Sequence, residues 1–334
     1  MKHSRRSLLA AAGVSAIIGP SAIISRAGAA SPRKITFLVD GGPVGRHSYY
    51  FLAASKGYYA QEGLEVGIIG GKGSAAVVKE VASGSATMGF ADAGTMILAR
   101  GNEDVPVKMV AVVYNSAPHA MIVLEESGIR KPADLMGKTL SDVAGSANYL
   151  LFPAYAKVSG IDPTKVKWVF ADFNALPGML VTRQVDAIGQ FTIGLPLLEK
   201  RAKPKSLVAL AYRDAGLDFY SNGIIVRDEM LQKEPDLVRA FLRATQKGLR
   251  DAIADPDAAG AAIHKALPLV ETDAATDEMR QVAQIAQSAG TRAHGLGWLD
   301  SAKMQQTIDV IAGVSTLKKK PAVTDVMADG FVSP

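Results

Sequence analysis

Short apolar stretches alternate with longer amphipathic segments along most of the chain, which predicts an α/β fold. Near the start, the predicted strand Ile35–Asp40 and the predicted helix Ser48–Gln61 precede a second strand, Leu64–Ile69. A helix between two short strands is a β-α-β unit, in which the strands are parallel and the helix covers one face. Ligands bind beyond the carboxyl ends of such strands, beside helix N-termini. The loops there, Gly41–His47 and Gly70–Ser74, are therefore expected to form two walls of a small-molecule site.

The same alternation begins again at Ala120 and predicts a second α/β lobe. Strands are predicted in this part of the chain at Met121–Leu124, Lys138–Ser141, Val166–Phe170, Val185–Ile188 and Leu207–Tyr212. From Pro235 onward, apolar residues recur at helical spacing and no further strand is predicted. The C-terminal helices are therefore expected to pack on a lobe formed earlier in the chain.

Residues 1–29 have the pattern of a signal peptide. Four basic residues and no acidic residue flank an apolar, alanine-rich stretch that ends at Ala27-Gly28-Ala29, a small-x-small cleavage site. Ser4-Arg5-Arg6-Ser7-Leu8-Leu9 resembles a twin-arginine export motif. The net charge falls from +5 to +1 without the four basic residues, so the composition does not predict a nucleic-acid partner. We expect an exported protein that is free in the periplasm.

The sequence predicts no metal, cofactor or catalytic centre. It contains no cysteine, which excludes disulfides, thiolate zinc sites, cysteine nucleophiles and lipid attachment through cysteine. The five histidines are scattered, and neither a G-x-S-x-G nor an H-E-x-x-H motif occurs. Gly70–Ser74 lacks the phosphate-loop pattern because Gly73 follows Lys72, although a polar ligand at the next helix N-terminus is as plausible as a simple capped turn.

Polar residues at strand ends and helix starts are the candidate ligand contacts. His47 is one because it lies beside Arg46 at the mouth of the first loop. Asp92 follows the predicted strand Ala86–Phe90, where its carboxylate either caps the next helix or accepts a hydrogen bond from a ligand amine or hydroxyl.

Further candidates occur in the second lobe. Ser146 and Asn148 begin a predicted helix and are positioned to bind from the opposite side. Gln190 and Phe191 follow the predicted strand Val185–Ile188, and Phe191 either stacks on a ligand ring or packs in the core.

Several short motifs occur in a fixed order between the export signal and the C-terminal helices. They are Lys56-Gly57-Tyr58-Tyr59, Glu62-Gly63-Leu64-Glu65-Val66, Gly89-Phe90-Ala91-Asp92, Asp134-Leu135-Met136-Gly137-Lys138, Val185-Asp186-Ala187-Ile188 and Tyr220-Ser221-Asn222-Gly223. Together they resemble ABC-transporter solute-binding proteins of the nitrate, sulfonate and thiamine-pyrimidine-precursor type, over nearly all of the chain that follows the signal peptide. The resemblance implies the two-lobe periplasmic-binding-protein fold of type II, with two crossover strands, a ligand cleft between the lobes and closure by hinge motion.

The resemblance also implies where the lobes and the site lie. The first lobe would comprise residues 30–116 and 224–334 and the second residues 117–223, with crossovers near Tyr114–Ala120 and Phe219–Ile225. The implied ligand contacts are Arg46, His47, Ser74 and Asp92 in the first lobe, and Ser146, Asn148, Asn174, Gln190 and Phe191 in the second.

The function implied is that of a receptor and not of an enzyme. A monomer would bind a small organic solute (a sulfonate, a carboxylate or an aminopyrimidine) and deliver it to a membrane permease with its ATPase. Arg46 favours an anion, whereas Asp92 favours an amine. The alternatives are an enzyme of the thiamine-pyrimidine-synthase type and a binding module that serves a sensor. Two departures matter: Gly41-Gly42 stands where pyrimidine-precursor binders often have tryptophan, and the cysteine-rich motif of the eukaryotic synthases is absent.

Overall fold

The computed structural model describes residues 31–332, in which ten strands form two five-stranded sheets. The strands of the first sheet are β1 (Arg33–Val39), β2 (Leu64–Gly70), β3 (Met88–Asp92), β4 (Val107–Val112) and β10 (Asn222–Arg227), and those of the second are β5 (His119–Leu124), β6 (Thr139–Asp142), β7 (Lys167–Phe170), β8 (Ala187–Phe191) and β9 (Leu207–Ala211). The predicted signal peptide lies outside the described residues.

Both sheets have the same mixed topology. The first has the order β2-β1-β3-β10-β4, with β1 parallel to β2 and β3, and with β10 antiparallel to both its neighbours. The second has the order β7-β6-β8-β5-β9, with β6 parallel to β7 and β8, and with β5 antiparallel to both its neighbours. The predicted parallel unit is therefore present, and the reversed strand in each sheet is the one that arrives from the other sheet.

The chain passes between the sheets twice, at residues 113–118 and 212–221. The two passages are hydrogen-bonded to each other. The Asp218 carboxylate accepts from the Ser116 hydroxyl at 2.6 Å and from the Ala117 N–H at 2.9 Å, and the Ser221 N–H donates to the Tyr114 carbonyl at 3.0 Å. The lobe limits inferred from the sequence stay a prediction.

Helices cover the sheets. They are α1 (Ser48–Ser55), α2 (Tyr58–Gln61), α3 (Ser74–Ser83), α4 (Ala93–Glu103), α5 (Ala147–Ser159), α6 (Leu176–Val181), α7 (Leu195–Ala202), α8 (Asp228–Lys233), α9 (Pro235–Ala254), α10 (Pro256–Ala266), α11 (Thr272–Ala286), α12 (Ala289–His294), α13 (Ser301–Val314) and α14 (Val323–Val326). The single helix expected over Ser48–Gln61 is divided into α1 and α2, because Gly57 adopts a left-handed φ of 71° between them.

The C-terminal helices pack against elements formed earlier, as their lack of strands suggested. Helices α9 and α10 contact α1, and α13 contacts α4. Helix α11 also reaches α7 beside the second sheet, where the Lys200 ammonium group binds Asp273 at 2.7 Å. No helix within residues 31–332 is both long and apolar enough to span a bilayer.

Aromatic side chains fill the core on both sides. Under the first sheet, Phe37 lies between Tyr50 and Phe241, with ring centroids 4.6 and 4.9 Å away. Beside the second sheet, Tyr155 and Tyr212 stack at 4.1 Å. Such pairs add about 0.5–1.5 kcal/mol each beyond the burial of their surface. The carboxyl ends of the parallel strands are thereby held on rigid supports.

Candidate ligand-binding cleft

A cleft of about 670 Å³ lies between the strand ends of the two sheets. Both glycine-rich loops line it, through Gly41, Gly42, Gly71 and Gly73. A cavity of this size accommodates a small organic ligand. The two loops thus occupy the place that the β-α-β argument gave them.

On the first-sheet side, Asp40 lies at the centre of a buried polar cluster. One carboxylate oxygen accepts from His47 Nε2 at 3.0 Å and from Arg46 Nη2 at 3.4 Å, and the other accepts from Asn222 Nδ2 at 2.9 Å. Burial alone would raise the pKa of Asp40, but the Arg46 charge and the His47 hydrogen bond outweigh it and lower the pKa to about 2. This wall therefore holds an ionised carboxylate whose two oxygens are both bonded.

Arg46 lines the cleft, and its buried guanidinium has hydrogen-bonding capacity to spare. Its carbon lies 5.4 Å from the ring centroid of Phe173 and 5.8 Å from that of Phe191. Nε and Nη1 have no hydrogen-bond partner within the described residues. The backbone N–H of Arg46 donates to Glu278 Oε2 at 2.9 Å, and burial raises the pKa of Glu278 to about 7 despite the nearby guanidinium.

The second-sheet wall presents polar side chains from α5 and β8. Ser146 caps α5, because its hydroxyl oxygen accepts from the Tyr149 N–H at 3.1 Å. Asn148 Oδ1 accepts from the Ala120 N–H at 3.2 Å, and Gln190 Oε1 accepts from the N–H of the next residue at 2.8 Å. All three side chains line the cleft.

Asp142, at the end of β6, is a cleft residue that the sequence interpretation missed. It is 2% exposed, Oδ1 accepts from the Val143 N–H at 2.7 Å, and Oδ2 has no hydrogen-bond partner within residues 31–332. Burial raises the pKa of Asp142 to about 6, against smaller lowering contributions from the Ser146 hydroxyl and the Val143 N–H. A Cβ at Gly189 would lie 1.9 Å from Oδ2, so glycine is required there. The criterion that selected Asp92, an acid at a strand end, also fits Asp142.

Aromatic rings that the sequence interpretation did not select also line the cleft. Phe170, at the end of β7, is 47% exposed, and Phe173 follows in the loop after it. A Cβ at Gly41 would lie 4.0 Å from the Phe173 ring. The Phe173 ring, from the loop after β7, thus approaches the position at Gly41 where the aromatic group is missing. Irregular loops carry no periodicity that could have revealed this approach.

Seven of the nine candidate residues line the cleft. They are Arg46, Ser74, Ser146, Asn148, Asn174, Gln190 and Phe191. Phe191 packs in the core, where it is 5% exposed, and also borders the cleft; stacking on a ligand ring stays a prediction.

The structure places His47 and Asp92 outside the residues that line the cleft, and their roles as ligand contacts stay predictions. His47 is fully buried: Nδ1 accepts from the Val44 N–H at 3.3 Å and Nε2 faces Asp40, while burial and the Arg46 charge lower the pKa of His47 to about 4. Asp92 is fully buried and caps α4 by accepting from the Thr95 N–H at 2.8 Å. The capping alternative for Asp92 therefore holds.

Asp92 also connects the first sheet to the second passage and to β5 of the second sheet. Its Oδ2 accepts from the Ser221 hydroxyl at 2.9 Å and lies 3.2 Å from His119 Nε2 at the start of β5. Its N–H donates to the Ser74 hydroxyl at 3.2 Å. Asp92 thus holds the elements behind the cleft in place.

The two walls touch at one edge of the cleft. The Ala75 N–H at the start of α3 donates to the Gly145 carbonyl at 3.2 Å, and a Cβ at Gly73 would lie 2.9 Å from that same oxygen. Gly73 has a φ of 89°, so both its backbone conformation and this close approach require glycine. This edge of the cleft is closed by backbone contact.

The sequence model of the family described as NMT1/THI5 like matches residues 45–259, which is more than half of the chain. The chain belongs to the NMT1/THI5-like family. This family member is 27% identical over 291 residues to the riboflavin-binding protein RibY of Chloroflexus aurantiacus, an alignment that covers 85% of this chain and 81% of that protein. It is 29% identical over 235 residues to the 4-amino-5-hydroxymethyl-2-methylpyrimidine phosphate synthase of Schizosaccharomyces pombe, covering 68% of this chain and 67% of that one.

Solved structures support the fold of this NMT1/THI5-like protein. The alkanesulfonate-binding protein SsuA of Xanthomonas axonopodis pv. citri, bound to MOPS, superimposes with a TM-score of 0.70 over 90% of this chain and 100% of that chain, at 14% identity. The architecture is the α/β periplasmic-binding-protein fold, as the sequence motifs implied.

Proposed function

We propose that this protein is the extracytoplasmic solute-binding receptor of an ABC importer. The cleft carries this proposal: a buried arginine with unpaired N–H groups lies near two phenylalanine rings, at strand ends contributed by both sheets. A receptor with such a site would bind and release its solute without changing it. The receptor would deliver the solute to a permease and its ATPase.

The wall chemistry supports a small organic solute with an oxygen-rich group. A carboxylate or sulfonate would pair with Arg46, since a guanidinium binds such groups through two parallel hydrogen bonds. A planar ring, as in an aminopyrimidine, would contact Phe170 and Phe173. Asp142, and not Asp92, is the acid that would accept a hydrogen bond from a ligand amine, because it lines the cleft and has an unpaired oxygen.

The periplasm is the proposed location, and a monomer the proposed state. The signal-peptide pattern of residues 1–29, with its twin-arginine motif, supports export. The fold, which is shared with the periplasmic aliphatic sulphonate-binding protein SsuA of Escherichia coli, supports the same location. A receptor that feeds a sensor instead of an importer is the second possibility, and loss of solute uptake in a strain that lacks this gene would distinguish the importer.

A pyrimidine synthase is the alternative from a different class, and the relationship to the fission-yeast enzyme favours it. The two functions differ in the chemical state of the solute after binding. A receptor returns its solute unchanged, whereas an enzyme converts it. Chromatography of each bound solute after prolonged incubation with purified protein therefore separates them, and any stoichiometric excess of product would refute the receptor.

A thermal-shift screen tests the proposal directly. The panel comprises alkanesulfonates, aromatic carboxylates, nitrate, riboflavin and pyrimidines. A solute present at 100 times its Kd adds about 2.7 kcal/mol to the free energy of unfolding, which gives a clear rise in Tm. Arg46→Lys should weaken binding of an anionic hit by at least about tenfold, because lysine offers a point charge in place of the planar fork. The matched control, Arg292→Lys at an exposed position of α12, should bind as the wild type does.

A further inference from the structure

Two side-chain amides of the second-sheet wall have an orientation fixed by the backbone. The Ala120 N–H donates to the Asn148 side chain at 3.2 Å, and the Phe191 N–H donates to the Gln190 side chain at 2.8 Å. Only an amide oxygen can accept these bonds, so the oxygen of each side chain is committed and the NH₂ group points the other way. The orientation of both amides therefore follows from the hydrogen-bond network.

Both NH₂ groups are free to donate inside the cleft. Neither has a hydrogen-bond partner within residues 31–332, and both side chains line the cleft. The two amides are also neighbours, since Gln190 pairs with Ala120 across β8 and β5 while Asn148 binds the N–H of that same alanine. They therefore present two donors from one side of the cleft.

Other groups on the walls add to this donor character. The hydroxyl oxygen of Ser74 already accepts a backbone N–H group, which leaves its hydroxyl hydrogen free to donate. Asp40, the acid of the opposite wall, has both oxygens engaged by protein donors. The carboxylates that remain on the walls are Asp142, which is almost fully buried, and the exposed Asp172, while the exposed Asn174 offers an amide that can accept or donate.

We propose that Asn148 and Gln190 determine ligand specificity by selecting a planar aromatic solute that presents hydrogen-bond acceptors, such as ring carbonyl or carboxylate oxygens, to this wall. A solute that presents N–H groups there would place them opposite the NH₂ groups of both amides, where no hydrogen bond can form. The phenylalanine rings beside the amides provide the contact for the planar part of the solute. This inference rests on the proposed receptor function and specifies its ligand class.

Isosteric substitutions can change the free NH₂ group of each amide from a donor to an acceptor and keep the bond from the backbone N–H that orients the side chain. Asn148→Asp and Gln190→Glu keep an oxygen for the backbone N–H and replace the free NH₂ with an acceptor. Asn102→Asp is the matched control, because Asn102 Oδ1 likewise accepts a backbone N–H, from Lys318 at 3.0 Å, but lies outside the cleft. Affinities are measured by titration calorimetry with three planar probes: riboflavin, which is neutral and has ring carbonyls; benzoate, which only accepts; and benzamidine, which only donates.

The wild type should bind riboflavin or benzoate more tightly than benzamidine. Each cleft variant should bind riboflavin or benzoate about tenfold more weakly than the wild type does. Its affinity for benzamidine should rise relative to its affinity for those two probes. Asn102→Asp should match the wild type with all three. General damage to the fold would weaken all probes alike and leave the preference unchanged, which would overturn the inference. A wild-type preference for benzamidine, or binding of non-aromatic solutes only, would overturn it as well. Failure of the whole thermal-shift panel would instead overturn the receptor function.

Discussion

Asp40 and Asp142 occupy equivalent positions in the two sheets, but their surroundings shift the two pKa values in opposite directions. Each ends the strand that lies between two parallel neighbours, β1 in one sheet and β6 in the other, and each borders the cleft. Asp40 is bonded by three side chains and its pKa falls to about 2, whereas Asp142 keeps an unpaired oxygen and its pKa rises to about 6. The first-sheet wall is thus internally satisfied, and the second retains bonding capacity that a ligand can use.

Removal of Asp40 should have the largest effect on stability. Asp40→Ala leaves the guanidinium of Arg46 and the amide of Asn222 buried without their partner. We expect the free energy of unfolding to fall by about 3–5 kcal/mol at pH 7, measured by urea denaturation. The control is Asp172→Ala, an exposed carboxylate in the same cleft, which should change it by less than about 0.5 kcal/mol. A similar small change in both variants would contradict the contrast between the walls.

Asp142→Asn should act in the opposite direction. The carboxyl has a pKa of 3.8 in the unfolded chain and about 6 in the folded protein, so the native state loses stability as the pH rises between these values. The amide cannot ionise, so the variant should be more stable than the wild type by up to about 3 kcal/mol at pH 8 and nearly equal to it at pH 4. Urea denaturation at both pH values tests this, and a loss of stability at pH 8 would show that Asp142 has a partner in the protein.

Gly73→Ala should have a smaller effect, at the edge where the walls meet. The new methyl group would press on the Gly145 carbonyl at 2.9 Å in a left-handed backbone conformation, at a cost of about 1–3 kcal/mol in the closed arrangement. We expect a lower Tm and a larger radius of gyration in X-ray scattering. Gly42→Ala, in the same cleft but with no atom within 4 Å of the new methyl group, should alter neither quantity. An unchanged radius for Gly73→Ala would mean that this contact does not hold the walls together.

The sequence predicted those features that depend on neighbours along the chain. Apolar runs located the strands, and the small polar residue before α5 marked its start, where Ser146 indeed caps the helix. The glycine-rich loops were assigned to the cleft because strand ends share one edge of a sheet. Each of these inferences rests on residues that are close to each other in the sequence, within about one helical turn or one strand.

The features that escaped prediction depend on distant partners. Asn222 bonds Asp40 across 182 positions, and Glu278 bonds the backbone of Arg46 across 232. These contacts, together with the Arg46 charge, turn His47 inward as a buried neutral residue although its position beside Arg46 suggested a ligand contact. A single sequence carries no local signal for such pairs, because folding alone brings them together.

The paired passages between the sheets give the molecule a mechanical property. Asp218 binds both Ser116 and Ala117, and Ser221 binds Tyr114, so the two segments form one short ribbon and not two independent tethers. We therefore expect the sheets to move relative to each other mainly by bending at these two segments together. One pair of spectroscopic labels across the cleft mouth would test this, because bending alone predicts one correlated change in their distance.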